Sequence, residues 1–275
     1  MRRFLLTAVM CVASISGSRA ADLPDLPILR GPVGFSSSHT NWAGVYFGGQ
    51  VVRGVADMDF TNSAQDLLAK LLNNVDLEQQ FNISQWPLLG KSHASGTGYG
   101  GFAGYNFQWT DAVLGIEMNY THGNLFGSNS GSQARSFFFP TDYFSEAAAA
   151  SSASMKITDY GSLRVRAGWA FGSVLPYAFA GVALGQADID RTASVLTQYT
   201  YVGSAIPPKP NIGPNFSTLS DNANGHFIYG WAGGIGMDWM IYQCLFLRAE
   251  WEFLHFASTV DTTVNTLRVG VGYKF

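Results

Sequence analysis

The sequence predicts an all-β fold: an eight-stranded antiparallel transmembrane β-barrel with long extracellular loops, one of them helical. Three observations predict it. Charged residues make up 13% of the 275-residue chain, while aromatics reach 14% and glycines number 31; a soluble domain carries roughly 25% charge. No apolar run after the first twenty residues approaches the roughly 18–20 residues that a spanning helix requires. Eight segments alternate large apolar residues with small or polar ones at a period of two, and their connections are mostly long and short in turn. So little charge implies a surface that does not face water everywhere, and the alternation implies that strands do the crossing.

The first element is not part of the barrel. Residues 1–20, MRRFLLTAVMCVASISGSRA, have Arg2 and Arg3 as a positive head, an apolar stretch over 4–15, and small Ser18 and Ala20 at the −3 and −1 positions of a cleavage site. This is the pattern of a secretory signal peptide cut after Ala20. A lipid anchor on Cys11 fits poorly, because Met10 and the residues before it are wrong for that processing. Loss of this segment leaves Cys244 as the only cysteine, so no internal disulfide can form and no Cys/His zinc site can be assembled. It also removes Arg2, Arg3 and Arg19 from a chain already negative at −3, which argues against nucleic acid as a partner. Residues 21–40, with Pro24, Pro27 and Pro32 and no periodicity, read as an extended periplasmic leader.

The barrel is predicted over 41–275. Strand segments fall at 42–53, 99–109, 112–122, 158–171, 175–187, 226–240, 245–256 and 263–275. In the second, Tyr99, Ala103, Tyr105, Phe107 and Trp109 oppose Gly100, Phe102, Gly104, Asn106 and Gln108. In the last, Leu267, Val269, Val271, Tyr273 and Phe275 oppose Thr266, Arg268, Gly270, Gly272 and Lys274. The segment 175–187 is apolar on both faces, and its orientation stays open. Polar connections at 54–96, 123–156, 188–225 and the short 257–262 alternate with tight turns near 110–111, 172–173 and 241–243. Long loops at one end and short turns at the other are the layout of an outer-membrane barrel.

Bulk decides which list faces inward. Eight strands enclose an interior just wide enough for side chains to fill, and a lining of tryptophan and tyrosine would overfill it. The glycine-rich list fits, and it carries Glu117, Arg164, Arg166, Asp238, Arg248, Glu250, Glu252 and Arg268. Four positive and four negative groups are expected to neutralise one another as a lumen charge network, since buried charges are tolerable only when paired. The aromatic list then faces lipid, with Trp42, Trp109, Trp169 and Trp239 at the interfaces. A glycosidase-like reading of Glu117, Glu250 and Glu252 is weaker: a carboxylate ringed by guanidinium groups stays ionised and makes a poor general acid.

Other motifs fail on context. Residues 96–101, GTGYGG, match G-x-G-x-x-G but are followed by an alternating strand rather than a helix offering its N-terminus to pyrophosphate. Residues 127–131, GSNSG, place asparagine where a nucleophile elbow needs serine. The histidines His39, His93, His122, His226 and His255 lie in the leader, in a loop or near strand ends, with no serine marked as activated. No catalytic, cofactor or metal residues are expected.

Several stretches resemble a known family: AADLP at 20–24, NWAGVYFGG at 41–49, GGFAGYNFQW at 100–109, VLGIEMNY at 113–120, YGSLRVRAGWAFG at 160–172, LPYAFAGVALG at 175–185 and LRVGVGYKF at 267–275. Together they are similar to the alphaproteobacterial small outer-membrane β-barrel family, OmpA-like barrels of the outer-membrane immunogenic protein type. The resemblance covers strands rather than loops. It implies an eight-stranded barrel in the bacterial outer membrane with a structural, envelope-integrity or surface-interaction role. It also brings heme or host-ligand binding through the extracellular loops as an alternative, and a narrow porin-like channel for small solutes is the runner-up reading of the lumen itself. Expected partners are outer-membrane lipid and lipopolysaccharide, the barrel-assembly machinery, and a host or surface ligand at the loops. An alternating last strand with Tyr273 and Phe275 also resembles the assembly signal of such barrels. The chain departs from the family at 64–81, where Leu67, Leu68, Leu71, Leu72 and Val75 form a helical apolar stripe. It reads either as a helix over the barrel mouth or another loop, or as a contact surface for a partner or lipid.

Overall fold

The computed structural model describes residues 40–72, 76–139 and 142–275. The signal peptide and all but the last residue of the leader lie outside them. Eight antiparallel strands close into a barrel in sequence order: β1 (Gly44–Asp59), β2 (Lys91–Trp109), β3 (Ala112–Phe139), β4 (Tyr143–Trp169), β5 (Val174–Tyr201), β6 (Ile212–Tyr242), β7 (Leu245–Ala257) and β8 (Asp261–Lys274). The ring is sealed by β1 against β8, in register from Tyr46 opposite Lys274 to Asp59 opposite Asp261. Every sheet edge at membrane level is therefore paired, the requirement for strands in a medium that offers no hydrogen bonds. Among the described residues no helix is long and apolar enough to cross a membrane.

The predicted strand segments all lie in these strands or at their ends, but two of the predicted loops are largely strand. Residues 123–139, 143–156, 188–201 and 212–225 continue β3 through β6, which reach 28, 27, 28 and 31 residues. They pair in register as far as Phe139 opposite Tyr143 and Tyr199 opposite Ile212. Half of the wall thus stands well above the other half, where β7 and β8 are 13 and 14 residues long. Irregularities interrupt the pairing between His122 and Leu125 in β3, between Ile157 and Asp159 in β4, and near Ala187 in β5. In β4 the extra residue, Thr158, reverses the alternation: Tyr160, Ser162 and Arg164 point inward below it, and Ile157, Met155 and Ala153 point inward above it.

The connection between β1 and β2 holds two short helices, α1 (Gln65–Leu71) and α2 (Asp76–Phe81), and a 3-10 turn at Ile83–Gln85. A single helix over 64–81 is thus replaced by two. Leu67, Leu68 and Leu72 are buried with Ile83, Trp86 and Leu88 against Ala147, Ala149, Ala193 and Val195 on the inner face of the tall wall, and Leu71 packs at the margin. Val75 lies outside the described residues. The contact-surface reading is corrected for the three buried leucines: the alanine-lined inner wall already covers their apolar face.

Three inward layers fill the described barrel. At the short-turn end lie Trp42, Tyr46, Phe102, Tyr177, Phe179 and Phe246. The charged residues sit above them. Met58, Phe60, Met155, Ile157, Phe256, Val260 and Val264 close the mouth. Two corrections follow. Trp42 is 1% exposed and sits inside, its indole N–H 3.3 Å from the Gly172 carbonyl oxygen, whereas Trp109, Trp169 and Trp239 do face outward. The inward set also includes aromatic rings, with Tyr177 and Phe179 fixing the orientation of β5.

Candidate functional site

The candidate site is the charged layer, and strand register builds it. Glu117 of β3 stands opposite Arg164 of β4, Asp238 of β6 opposite Arg248 of β7, and Glu250 of β7 opposite Arg268 of β8. Opposite charges directly across an antiparallel pair attract, and the period of two carries the next residues, Arg166 and Glu252, onto the same face.

All eight predicted residues come together. Glu117 lies at the centre: Arg164 donates to it from Nε at 3.0 Å, Arg248 from Nη1 at 2.8 Å and Arg166 from Nη1 at 3.4 Å. Asp238 accepts a fork from Arg248, Nε at 2.8 Å and Nη2 at 2.9 Å, and a third bond from Arg166 at 3.0 Å. Glu250 accepts from Arg164 Nη2 at 2.6 Å, and Glu252 pairs with Arg268 and with Arg164 at 3.4 Å. All eight side chains are 2% exposed or less. Arg268 Nη1 alone among these guanidinium nitrogens is buried with no partner.

Several members of the layer escaped the sequence reading. The hydroxyls of Tyr46 and Tyr177 donate to Glu117 at 2.7 Å and to Glu250 at 2.6 Å. Asn106 accepts from Arg166 Nε at 3.1 Å and donates to the Trp42 carbonyl oxygen at 3.1 Å. The guanidinium of Arg248 lies 3.9 Å from the Phe102 ring centre and that of Arg164 4.0 Å from that of Phe179, so aromatic faces take the cationic surfaces that carboxylates leave bare. Tyr46 and Asn106 share the inward parity of their glycine-rich segments, a signal available in sequence. Tyr177 was hidden because both faces of its segment are apolar. Gly236 makes its approach possible: a Cβ there would come within 2.6 Å of the Tyr177 ring.

Chemically this arrangement locks rather than reacts. Each carboxylate already accepts from guanidinium groups, and none is open to solvent. The neighbouring interior is also closed by specific bonds, including a reciprocal amide pair between Gln50 and Asn119 at 3.0 and 3.3 Å. Elsewhere, His122 pairs with Asp159 at 2.8 Å, and His255 lies 3.5 Å from the Thr263 hydroxyl. Among the described residues no cluster of three or more His, Cys, Asp or Glu side chains can hold a metal ion, and G-x-G-x-x-G lies within β2.

The family comparison agrees with this architecture. The model of the outer-membrane protein β-barrel domain family matches residues 7–275. The 25 kDa outer-membrane immunogenic protein of Brucella ovis is 28% identical over 176 residues, 64% of this chain and 62% of that protein. Its counterpart from Brucella abortus is 27% identical over 186 residues, 64% of each chain. The chain thus spans slightly less than two thirds of the length of these relatives. Among solved structures, Ail, the attachment invasion locus protein of Yersinia pestis, is 13% identical with a TM-score of 0.33, covering 85% of this chain and 99% of that one. Neisserial surface protein A is 13% identical with a TM-score of 0.35, covering 85% and 98%. This chain is a member of the outer-membrane β-barrel domain family, similar to the small immunogenic barrels of Brucella, and its place is the bacterial outer membrane.

Proposed function

We propose that the protein is a non-conducting structural barrel that contributes to envelope integrity and presents its tall wall at the cell surface. The observation that supports this is the stacking of side-chain layers across the lumen: a charged layer between an aromatic floor and an apolar mouth. A porin-like channel would need a water path along this axis, and an enzyme would need a substrate path to the same carboxylates. The names of its Brucella relatives, outer-membrane immunogenic proteins, support surface exposure. Interaction with a host or surface ligand through the wall and its connections is part of this proposal, as is contact with lipopolysaccharide around the outward face.

Assembly belongs to the same reading. Tyr273 and Phe275 face outward beside Phe47, with ring centres 6.5 and 5.5 Å from it, at the β1–β8 seam. We assign them to recognition by the barrel-assembly machinery. The functional test is complementation. A strain lacking the protein should show increased uptake of a hydrophobic dye, reversed by the wild-type chain, while purified protein should not swell liposomes in isotonic small sugars. Swelling that tracks sugar size would replace this reading with a channel.

A further inference from the structure

The outward face of β1 carries a cation that the barrel itself leaves without a counter-charge. Arg53 points outward between Val51 and Val55, which are both exposed, while Val52 and Gly54 point inward. Register sets it beside Thr97 of β2 and Leu267 of β8, and the row above holds Ser95 and Asn265. Among the described residues, the side chains of Arg53, Ser95, Thr97 and Asn265 have no hydrogen-bond or ion-pair partner. The other basic groups of this face are already matched, Lys91 with Asp59 at 3.2 Å and His93 with Asp57.

Depth gives the unpaired charge its meaning. Below Arg53 the outward side chains of these strands are apolar or aromatic, as at Phe47, Val51, Tyr99 and Val269. Above it charged and polar ones appear, as at Asp57, His93 and Thr263. β1 begins at Gly44, nine residues below Arg53. At about 3.3 Å per residue and a tilt of about 40° this is roughly 23 Å, close to the height of an apolar band about 25 Å tall. The guanidinium therefore stands at the edge of that band on the long-loop side, where its stem lies along apolar surface and its charge reaches the headgroups of the outer leaflet.

We propose that Arg53, with Thr97, Ser95 and Asn265 beside it, is a seat for one phosphate of a lipid A molecule. This rests on the reading that lipopolysaccharide surrounds the outward face. A guanidinium is a planar fork that grips two phosphate oxygens at once, and the two hydroxyls and the amide add neutral donors next to it. No free carboxylate competes along β1: the first outward one above, Asp57, is paired with His93. The acyl chains of the same molecule would run down over Val51, Leu267 and Val269, which are all exposed on this face.

Native mass spectrometry of the intact barrel, released from mixed micelles, tests this. Diphosphoryl lipid A, its fully dephosphorylated form, phosphatidylglycerol and inorganic phosphate are the probes, in separate arms. Wild type should retain one diphosphoryl lipid A in preference to the other three. Arg53→Ala should weaken that retention about tenfold or more, and Arg53→Lys by less, since lysine keeps the charge but loses the fork. Lys91→Ala removes a positive charge that Asp59 already holds, so retention should stay within about twofold of wild type. Heat-modifiable migration of each variant verifies folding. Equal retention by Arg53→Ala and wild type would overturn the seat while leaving lipopolysaccharide around the barrel. Any other probe retained as well as diphosphoryl lipid A would overturn the assigned ligand, and no retained lipid A at all would overturn both readings.

Discussion

The barrel has two interiors, and they are sealed in opposite ways. At membrane level the inside is charged and the outside is apolar: Arg164 and Glu117 face each other across the lumen layer while Leu163, Val165, Ile116 and Met118 face out. At the mouth Met58, Phe60, Met155, Ile157 and Ile189 are inside, and outward positions carry Ser128, Ser152, Ser154 and Thr192. At these positions the upper region follows the pattern of a soluble barrel and the lower one its inverse, although Phe126 and Phe216 also face outward above. The change falls at the level of the irregularities in β3, β4 and β5, where β4 reverses its alternation at Thr158, so one continuous sheet serves two solvents. Polarity of the interior is thus set by what the outer face must meet.

The largest predicted effect comes from breaking the lower seal. Glu117→Ala leaves Arg164, Arg166 and Arg248 each short of an acceptor in a buried layer. Removing one partner from a buried charge network costs about 3–5 kcal/mol. Urea unfolding in micelles should show this as a matching fall in stability, and a loss below ~1 kcal/mol would mean that water solvates the layer. A double replacement, Glu252→Gln with Arg268→Met, should cost less than either single change, because no unpaired charge remains.

The boundary between the regions can be located from outside. Val165→Arg, on the lipid face below the β4 irregularity, is expected to cost about 2–4 kcal/mol. Ser152→Arg above it should stay within about 0.5 kcal/mol. Comparable costs at both sites would erase the distinction between the two outer faces. The smallest effect comes from the upper seal: Ile157→Val, removing one methylene from the mouth, should cost about 0.5–1.5 kcal/mol, read by the same unfolding assay.

The lower region was legible in sequence because its two faces differ in the way sequence reports best. Bulky apolar residues alternate with glycines and charges from Tyr160 to Trp169 and from Thr266 to Phe275, and the eight charged residues could be placed inside on bulk alone. The upper region was illegible for a physical reason. From Ala147 to Ser154 both faces are alanine and serine, so burial alternates where hydropathy barely does. Thr158 then breaks the phase of β4, and the strand read from below seems to end there. Composition alone therefore turned 27 residues of strand into a short strand and a loop. Trp42 misled in the other direction: an aromatic near a strand end fits an interfacial girdle, but its position on the inward parity of β1, with Tyr46 and Gln50, places it in the floor. The α1 leucines were visible as a stripe, yet the wall they cover was hidden within a supposed loop.

The closed lumen is the claim on which the functional reading stands, and single-channel recording tests it most directly. Purified, heat-modifiable wild-type monomer in a planar bilayer should give no discrete conductance steps, since the aromatic floor, the charged layer and the apolar mouth each block the axis. Stable, reproducible steps from the wild-type monomer would contradict the account.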